Sequence, residues 1–268
     1  MEWLVIIVTV VVLWVASFFK LLHESLSASQ VAVLTDGGVF CKRNVLLVIA
    51  HPDDESMFFT PTINYLSSRG CNLHILCMST GNADGMGNVR KEELYLASVM
   101  LKVPQKQVKI LDHPDLQDGF GKTWNSKLLS KIIKEEIANC DIDLVITFDN
   151  YGVSGHCNHC DVHQGVRELL QDTSHRDVEA WELVSSSLVS LPLVSTNILR
   201  KYSGPVDIWL SILSAKFHLR GVVHCLLNEH PRRSLAAMAQ HKSQWVWFRK
   251  LFVCFSSYTY VNCLKKIN

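Results

Sequence analysis

Three consecutive acids, Asp53, Asp54 and Glu55, follow His51 and Pro52 directly after an apolar run. Carboxylates crowded together at the end of a buried segment repel one another and lose solvation unless a cation compensates them, as a divalent metal would. One histidine and one carboxylate leave such an ion short of ligands, because an open catalytic zinc site takes about three protein groups plus water. His156 and His159, in Gly155-His-Cys-Asn-His159, can supply the remainder. A plainer reading of the acids is a helix start, with Pro52 in the first turn and negative charge at the positive end of the helix dipole. That reading explains the acids but neither His51 nor the second group. For the second group the plainer reading is a structural zinc knot drawn from His156, Cys157, His159, Cys160 and His163. Such knots normally pair two separated ligand couples, and the second couple is missing here.

Ser79-Thr80-Gly81-Asn82 opens a glycine-containing loop that runs to Gly87 and could present backbone amides to an anion or to sugar hydroxyls. Arg90 and Glu93 follow one helical turn apart, either as a surface ion pair or as groups reaching the same crevice.

These residues need elements to hold them. Residues 45–50, 73–79, 108–111 and 144–148 are apolar runs of the kind that form strands buried on both faces. Between them, residues 58–68, 89–101 and 124–137 repeat apolar positions at helical spacing, with Thr123 or Asn125 as N-cap of the last. Alternating strands and helices predict an α/β fold, a Rossmann-like and mostly parallel sheet with helices on both faces and right-handed crossovers. Such sheets bind ligands beyond the carboxyl ends of their strands. The two reactive groups follow the first and fourth runs, where this rule places a site.

Residues 3–19 contain no charged side chain and span about 26 Å as a helix, close to the roughly 27 Å of an endoplasmic reticulum bilayer. We expect a transmembrane anchor over residues 1–24, a tether over 25–43 and one domain over 44–268. A cleaved signal peptide ending near Ser27-Ala28-Ser29 is the rival, but the apolar run is long for one and lacks a basic start. Lys20, Lys42 and Arg43 follow the run while Glu2 precedes it, so the positive-inside tendency puts the domain in the cytosol.

Nine cysteines without dense, regular spacing are read as reduced thiols, with Cys157 and Cys160 as a conceivable redox pair. A net charge of +1 with scattered Lys and Arg argues against nucleic acid as a partner. Residues 245–255 are rich in aromatics and carry Arg249 and Lys250, a composition that suits either core or a membrane interface.

The motifs Ala50-His-Pro-Asp-Asp-Glu55, Ser79-Thr-Gly-Asn82, Arg90 with Glu93, and Gly155-His-x-Asn-His159 resemble those of the LmbE-like metal-dependent deacetylases. Val145-Ile-Thr-Phe-Asp149, Gly152-Val-Ser-Gly-His156, Asn197-Ile-Leu-Arg-Lys-Tyr202 and Ala237-Met-x-x-His-x-Ser-Gln244 with Trp247-Phe-Arg249 narrow the resemblance. It lies with the eukaryotic branch, which acts on N-acetylglucosaminyl-phosphatidylinositol at the endoplasmic reticulum membrane.

The resemblance implies a divalent metal, generally zinc, held by His51, Asp54 and His159, with Asp53 as general base and His156 stabilising the oxyanion or protonating the departing amine. It also implies substrate contacts from Arg90, Ser79, Asn82 and His241, though His241 at helical spacing from Ala237 and Met238 equally suits a packed helix face. Bacterial relatives often carry aspartate where this chain has Asn158, so a carboxylate orienting a histidine is expected to be absent. The alternatives are a deacetylase of another N-acetyl amino-sugar conjugate and a non-catalytic membrane protein stabilised by metal.

Overall fold

The computed structural model describes residues 2–24, 43–119, 121–171, 178–185, 201–209, 211 and 223–267. The tether expected over residues 25–43 therefore lies outside the described residues except for Arg43, as does the stretch 197–200 of the motif ending at Tyr202.

Seven strands form one sheet in the order β3-β2-β1-β4-β5-β7-β6. The four expected strands are present as β1 (Asn44–Ile49), β2 (Asn72–Cys77), β3 (Val108–Ile110) and β4 (Leu144–Phe148). All four run parallel, with β1 between β2 and β4. Valine, leucine and isoleucine fill both faces of β1 and β4 and are buried throughout, which explains why neither strand alternates in sequence. β5 (Glu179–Leu183) continues the parallel run beside β4, whereas β7 (Val261–Lys266) joins β5 antiparallel and β6 (Val223–Leu227) pairs antiparallel with β7. The sheet is thus mixed, with a parallel body and an antiparallel margin that the apolar runs did not reveal.

The expected helices appear as α3 (Thr60–Ser68), α4 (Gly87–Met100) and α5 (Ser126–Cys140), preceded by the single turn α2 (Asp54–Met57). Asn125 is the N-cap of α5, accepting from the amides of Lys127 and Leu128. The short α6 (Gly152–Gly155) leads into α7 (Cys157–Gln171), and α8 (Pro231–Met238) and α9 (Trp247–Phe255) precede the last strand. Chain order reverses between β1, which leads outward to β2, and β4, which leads the other way to β5. A topological switch point lies between them, and a crevice opens at their carboxyl ends.

α1 (Glu2–Glu24) is one helix of 23 residues whose side chains Trp3, Leu4, Val5, Val8, Val11 and Val12 are exposed. Among the described residues no helix is long and apolar enough to cross a membrane. The C-terminal half of α1 packs on the domain. Ser17 is buried and accepts from Trp209 Nε1 at 3.0 Å, and Trp14 meets Phe255 edge-on with centroids 5.9 Å apart. The reading of all cysteines as reduced is corrected at Cys71, which is disulfide-bonded. Cys77, Cys140, Cys157, Cys160 and Cys254 are free thiols, and Cys225 Sγ lies 3.0 Å from Cys263 Sγ.

Candidate active site

β1 delivers the acid-rich turn into the crevice. The peptide amides of Ala50 and His51 donate to Asp54 Oδ2 at 3.1 and 2.8 Å, so the carboxylate folds back on its own turn and fixes its shape. Asp53 sits at φ 122°, a conformation costly for a non-glycine residue and tolerated where the surroundings impose it. Its amide donates to Glu55 Oε2 at 3.1 Å. Arg90, on α4, ties this turn to the loop after β2 by donating to the carbonyls of Pro52 at 2.7 Å and Gly81 at 2.8 Å. That approach needs Gly81, at φ +66°, because a Cβ there would lie 2.4 Å from Arg90 Nη1.

β4 delivers the histidines. Asp149, just beyond it, accepts from the amides of Tyr151 and Gly152 and from the amide and hydroxyl of Ser185, which pins the loop ahead of α7. Gly152, at φ +59°, leaves room for His159, whose Cβ would be 2.8 Å from a Cβ on this residue. His159 stacks on Phe148 with centroids 4.0 Å apart and places Nδ1 3.1 Å from the Gly152 carbonyl. That contact assigns the proton to Nδ1 and leaves the Nε2 lone pair facing Asp54 Oδ1, 3.2 Å away.

His51 is oriented in the same manner from the other side. Its Nε2 lies 3.2 Å from Asn158 Oδ1 and 3.3 Å from Asp118 Oδ1, two acceptors that place the proton there. Nδ1 is then the free nitrogen, 3.8 Å from Asp54 Oδ2. Ring nitrogens of His51, His156 and His159 all lie within 4.8 Å of one another, a histidine-rich cluster able to hold a metal ion. His51 and His159 are buried, while His156 is exposed at the rim.

Electrostatics separates the two neighbouring aspartates. Burial alone would raise the Asp54 carboxyl, but His159 and then His51 hold it far below the usual carboxylate range. Asp53 is raised, by burial above all and against the pull of Arg249 and Arg90. Arg249 Nη1 lies 2.6 Å from Asp53 Oδ2 and Arg90 Nη2 lies 3.5 Å from Oδ1. His156 is pushed down to about 4 by desolvation and by His159 and His51, so its ring is neutral near pH 7.

Five of the expected residues, His51, Asp53, Asp54, His156 and His159, meet in this crevice. The others are placed differently from a substrate lining. Arg90 is buried and committed to backbone carbonyls and aspartates, and Ser79 donates to the Ala50 carbonyl at 2.8 Å. His241 is buried against Glu55, and Asn82 is exposed with Oδ1 accepting from the Gly87 amide. The Cys157 thiol donates to the Lys122 carbonyl at 3.1 Å, and burial raises the Cys160 thiol, which makes it a poor redox nucleophile.

Two residues in the crevice were not anticipated in these roles. Asp118 supplies the carboxylate beside His51 that Asn158 cannot, and its signal was an acid before Gly119 in the loop after the third strand. Arg249 was visible as the end of the motif Trp247-Phe-Arg249 and as a cation within an aromatic run, without a role at the site.

Residues 46–170 match the family model described as PIG-L, GlcNAc-PI de-N-acetylase. A probable N-acetylglucosaminyl-phosphatidylinositol de-N-acetylase of Dictyostelium discoideum is 35% identical over 248 residues, covering 87% of this chain and 96% of that protein. The chain belongs to the GlcNAc-PI de-N-acetylase family. The N-acetylglucosaminyl-phosphatidylinositol de-N-acetylase of Bos taurus, also 35% identical, extends the similarity to 94% of this chain and 92% of its own length. Among solved structures, N,N'-diacetylchitobiose deacetylase from Pyrococcus horikoshii superposes with a TM-score of 0.59 at 16% identity, covering 94% of this chain and 92% of that one. That likeness shows a shared fold. Membership of the PIG-L family matches the LmbE-like resemblance carried by the crevice motifs.

Proposed function

We propose that this chain hydrolyses the acetamide of N-acetylglucosaminyl-phosphatidylinositol, releasing acetate and the glucosaminyl lipid. The observation that carries the reading is the meeting of Asp53, Asp54, His51, His159 and the exposed His156 at the carboxyl ends of β1 and β4. Family membership supports the substrate.

The donor set fits a divalent metal. His51 and His159 have their outer nitrogens engaged by acceptors and turn their inner nitrogens toward Asp54, a carboxylate held ionised although it is buried. Two imidazoles and a carboxylate suit zinc and leave coordination positions open for reactants. We assign His51, Asp54 and His159 as the residues that hold it. When bound, a divalent ion polarises the amide carbonyl and makes water acidic enough to attack near neutral pH.

Asp53 turns its carboxylate to Arg249 and Arg90. Its carboxylate takes the proton from the attacking water and returns it to the nitrogen as the carbon–nitrogen bond breaks, yielding free amine and acetate. The two arginines fix the carboxylate orientation that the transfer requires. His156, neutral and at the rim, donates a hydrogen bond to the oxygen that gains charge as the carbonyl is attacked.

We further infer that α1 anchors the chain at the endoplasmic reticulum membrane with residues 44–268 facing the cytosol. The exposed apolar side chains of α1 and Lys20 at its domain end support this, as do the free thiols, while the bonded Cys71 stands against a reducing face. Carbonate extraction and protease accessibility in intact microsomes decide it. A protected domain overturns the orientation.

The central experiment measures acetate release from N-acetylglucosaminyl-phosphatidylinositol by the purified chain. Chelation should abolish release and zinc restore it, and Asp53→Asn should bind zinc yet turn over about 100- to 10,000-fold more slowly. A zinc-loaded wild type that releases no acetate overturns the reading.

A further inference from the structure

α9 presents two faces of opposite character. Trp247, Phe248, Leu251 and Phe255 fall on one side at about 100° per residue, and all four are exposed, Trp247 at 72%. Phe252 and Val253 on the other side are buried, and Arg249 projects inward with them. Arg249 ends on Asp53 Oδ2 at 2.6 Å and on the Gln244 side chain. One helix nine residues long thus carries both a row of bare aromatics and the guanidinium that holds the proposed base.

The exposed row is not isolated. Phe255 at its end packs edge-on against Trp14 of α1, and beyond Trp14 the α1 side chains Val11, Val8, Val5 and Leu4 are likewise exposed. α1 and α9 therefore form one continuous apolar surface. Lys250 lies 5.6 Å from the Trp245 ring, Lys20 lies 5.0 Å from the Trp209 ring and Lys201 lies 5.5 Å from the Phe252 ring. Aromatics edged by lysines, continuous with an apolar helix, match the boundary of a bilayer with anionic head groups. A second protein would have to cover both helices at once, whereas a lipid surface covers them without further specificity.

We propose that α9 seats on the bilayer surface and that this contact, relayed through Arg249, sets the position of Asp53. The inference rests on the reading of Asp53 as the base. Arg249 is a positioning residue here, since it touches the carboxylate and not the substrate. Lipid contact braces α9, and a braced α9 holds the guanidinium where Asp53 faces the reacting water. When α9 lifts, the same carboxylate is left to Arg90 alone at 3.5 Å.

The test uses the full chain in nanodiscs of phosphatidylcholine and phosphatidylinositol, assayed on water-soluble N-acetylglucosaminyl-inositol so that substrate delivery from the lipid plays no part. Trp247→Ser with Phe248→Ser changes only exposed positions. It should lower kcat about tenfold with KM unchanged, because a misplaced base costs rate and not binding. Arg249→Ala should lower kcat by a similar factor, and Arg249→Lys should recover part of it. In the Arg249→Ala background the serine pair should have no further effect, since two links of one relay are not additive. Brominated lipid should quench wild-type tryptophan fluorescence more than that of Trp247→Phe. Independent, additive losses, an unchanged kcat in the serine pair, or equal quenching overturns the relay. A wild type inactive on both the soluble and the lipid substrate overturns the hydrolase reading instead.

Discussion

His241 Nε2 lies 2.6 Å from Glu55 Oε1, and both side chains are completely buried. The pair ties the segment after α8 to the acid-rich turn across 186 positions of sequence. Burial alone would lower the His241 ring, but Glu55 raises it, so the two charges support each other. Removing one partner leaves the other uncompensated. His241→Ala should destabilise the domain by roughly 3–5 kcal/mol in denaturant unfolding. A loss below about 1 kcal/mol would show that the pair is dispensable to the fold.

Asp118 and Asn158 both face His51 Nε2. Asp118→Asn keeps the shape but weakens the acceptor that turns Nδ1 toward Asp54. Zinc affinity, measured against a chromophoric chelator, should fall about 10- to 100-fold while the unfolding midpoint of the metal-free chain stays near wild type. Unchanged affinity would leave orientation of His51 to Asn158 alone.

Gly81 is required where the Arg90 guanidinium reaches its carbonyl. Gly81→Ala adds a strained left-handed residue and pushes a Cβ into that guanidinium, for a loss of at least about 1–2 kcal/mol in thermal unfolding. Gly85→Ala, at φ +72° with open space around it, should show the backbone penalty without the clash and so lose less.

Glu182 on β5 is raised to about 7 by burial and then by the charge of Asp149, with His163 Nδ1 at 3.5 Å. A carboxyl raised in the folded state favours folding at low pH, and that contribution is lost as pH climbs from about 4.5 through about 7. Glu182→Gln should therefore match wild type near pH 5 and exceed it near pH 8, by roughly 3 kcal/mol at most. Parallel stability curves for the two proteins would show that Glu182 does not titrate in this range.

The parallel half of the sheet was legible because β1 and β4 are buried on both faces and leave unbroken apolar runs, with the reactive residues immediately after them. β5 reads Glu-Ala-Trp-Glu-Leu and β7 Val-Asn-Cys-Leu-Lys-Lys, where Glu179 and Glu182 pair with Lys266 and Lys265 across the strands and Asn262 is buried on Thr62, so neither forms such a run. Ligand candidates were legible for a similar reason, since His51 and Asp54 come directly after β1 and His159 follows β4 in the next helical segment. The groups that orient them were not. Asp118 is 67 residues from His51, and Arg249 is 196 residues from Asp53, so only the folded chain brings these pairs together. Arg90 and His241 were recognised as residues of note, but composition could not distinguish a substrate contact from a buried brace.

β7 is the last strand in sequence yet lies inside the sheet, between β5 and β6. During vectorial synthesis β6 can reach its place only after β7 has left the ribosome, because β7 is its neighbour among the described strands. The segment carrying His241 and Arg249 runs between these two strands and docks in the same late step. A nascent chain therefore presents its histidines and Asp54 before the segment bearing Arg249 can reach Asp53.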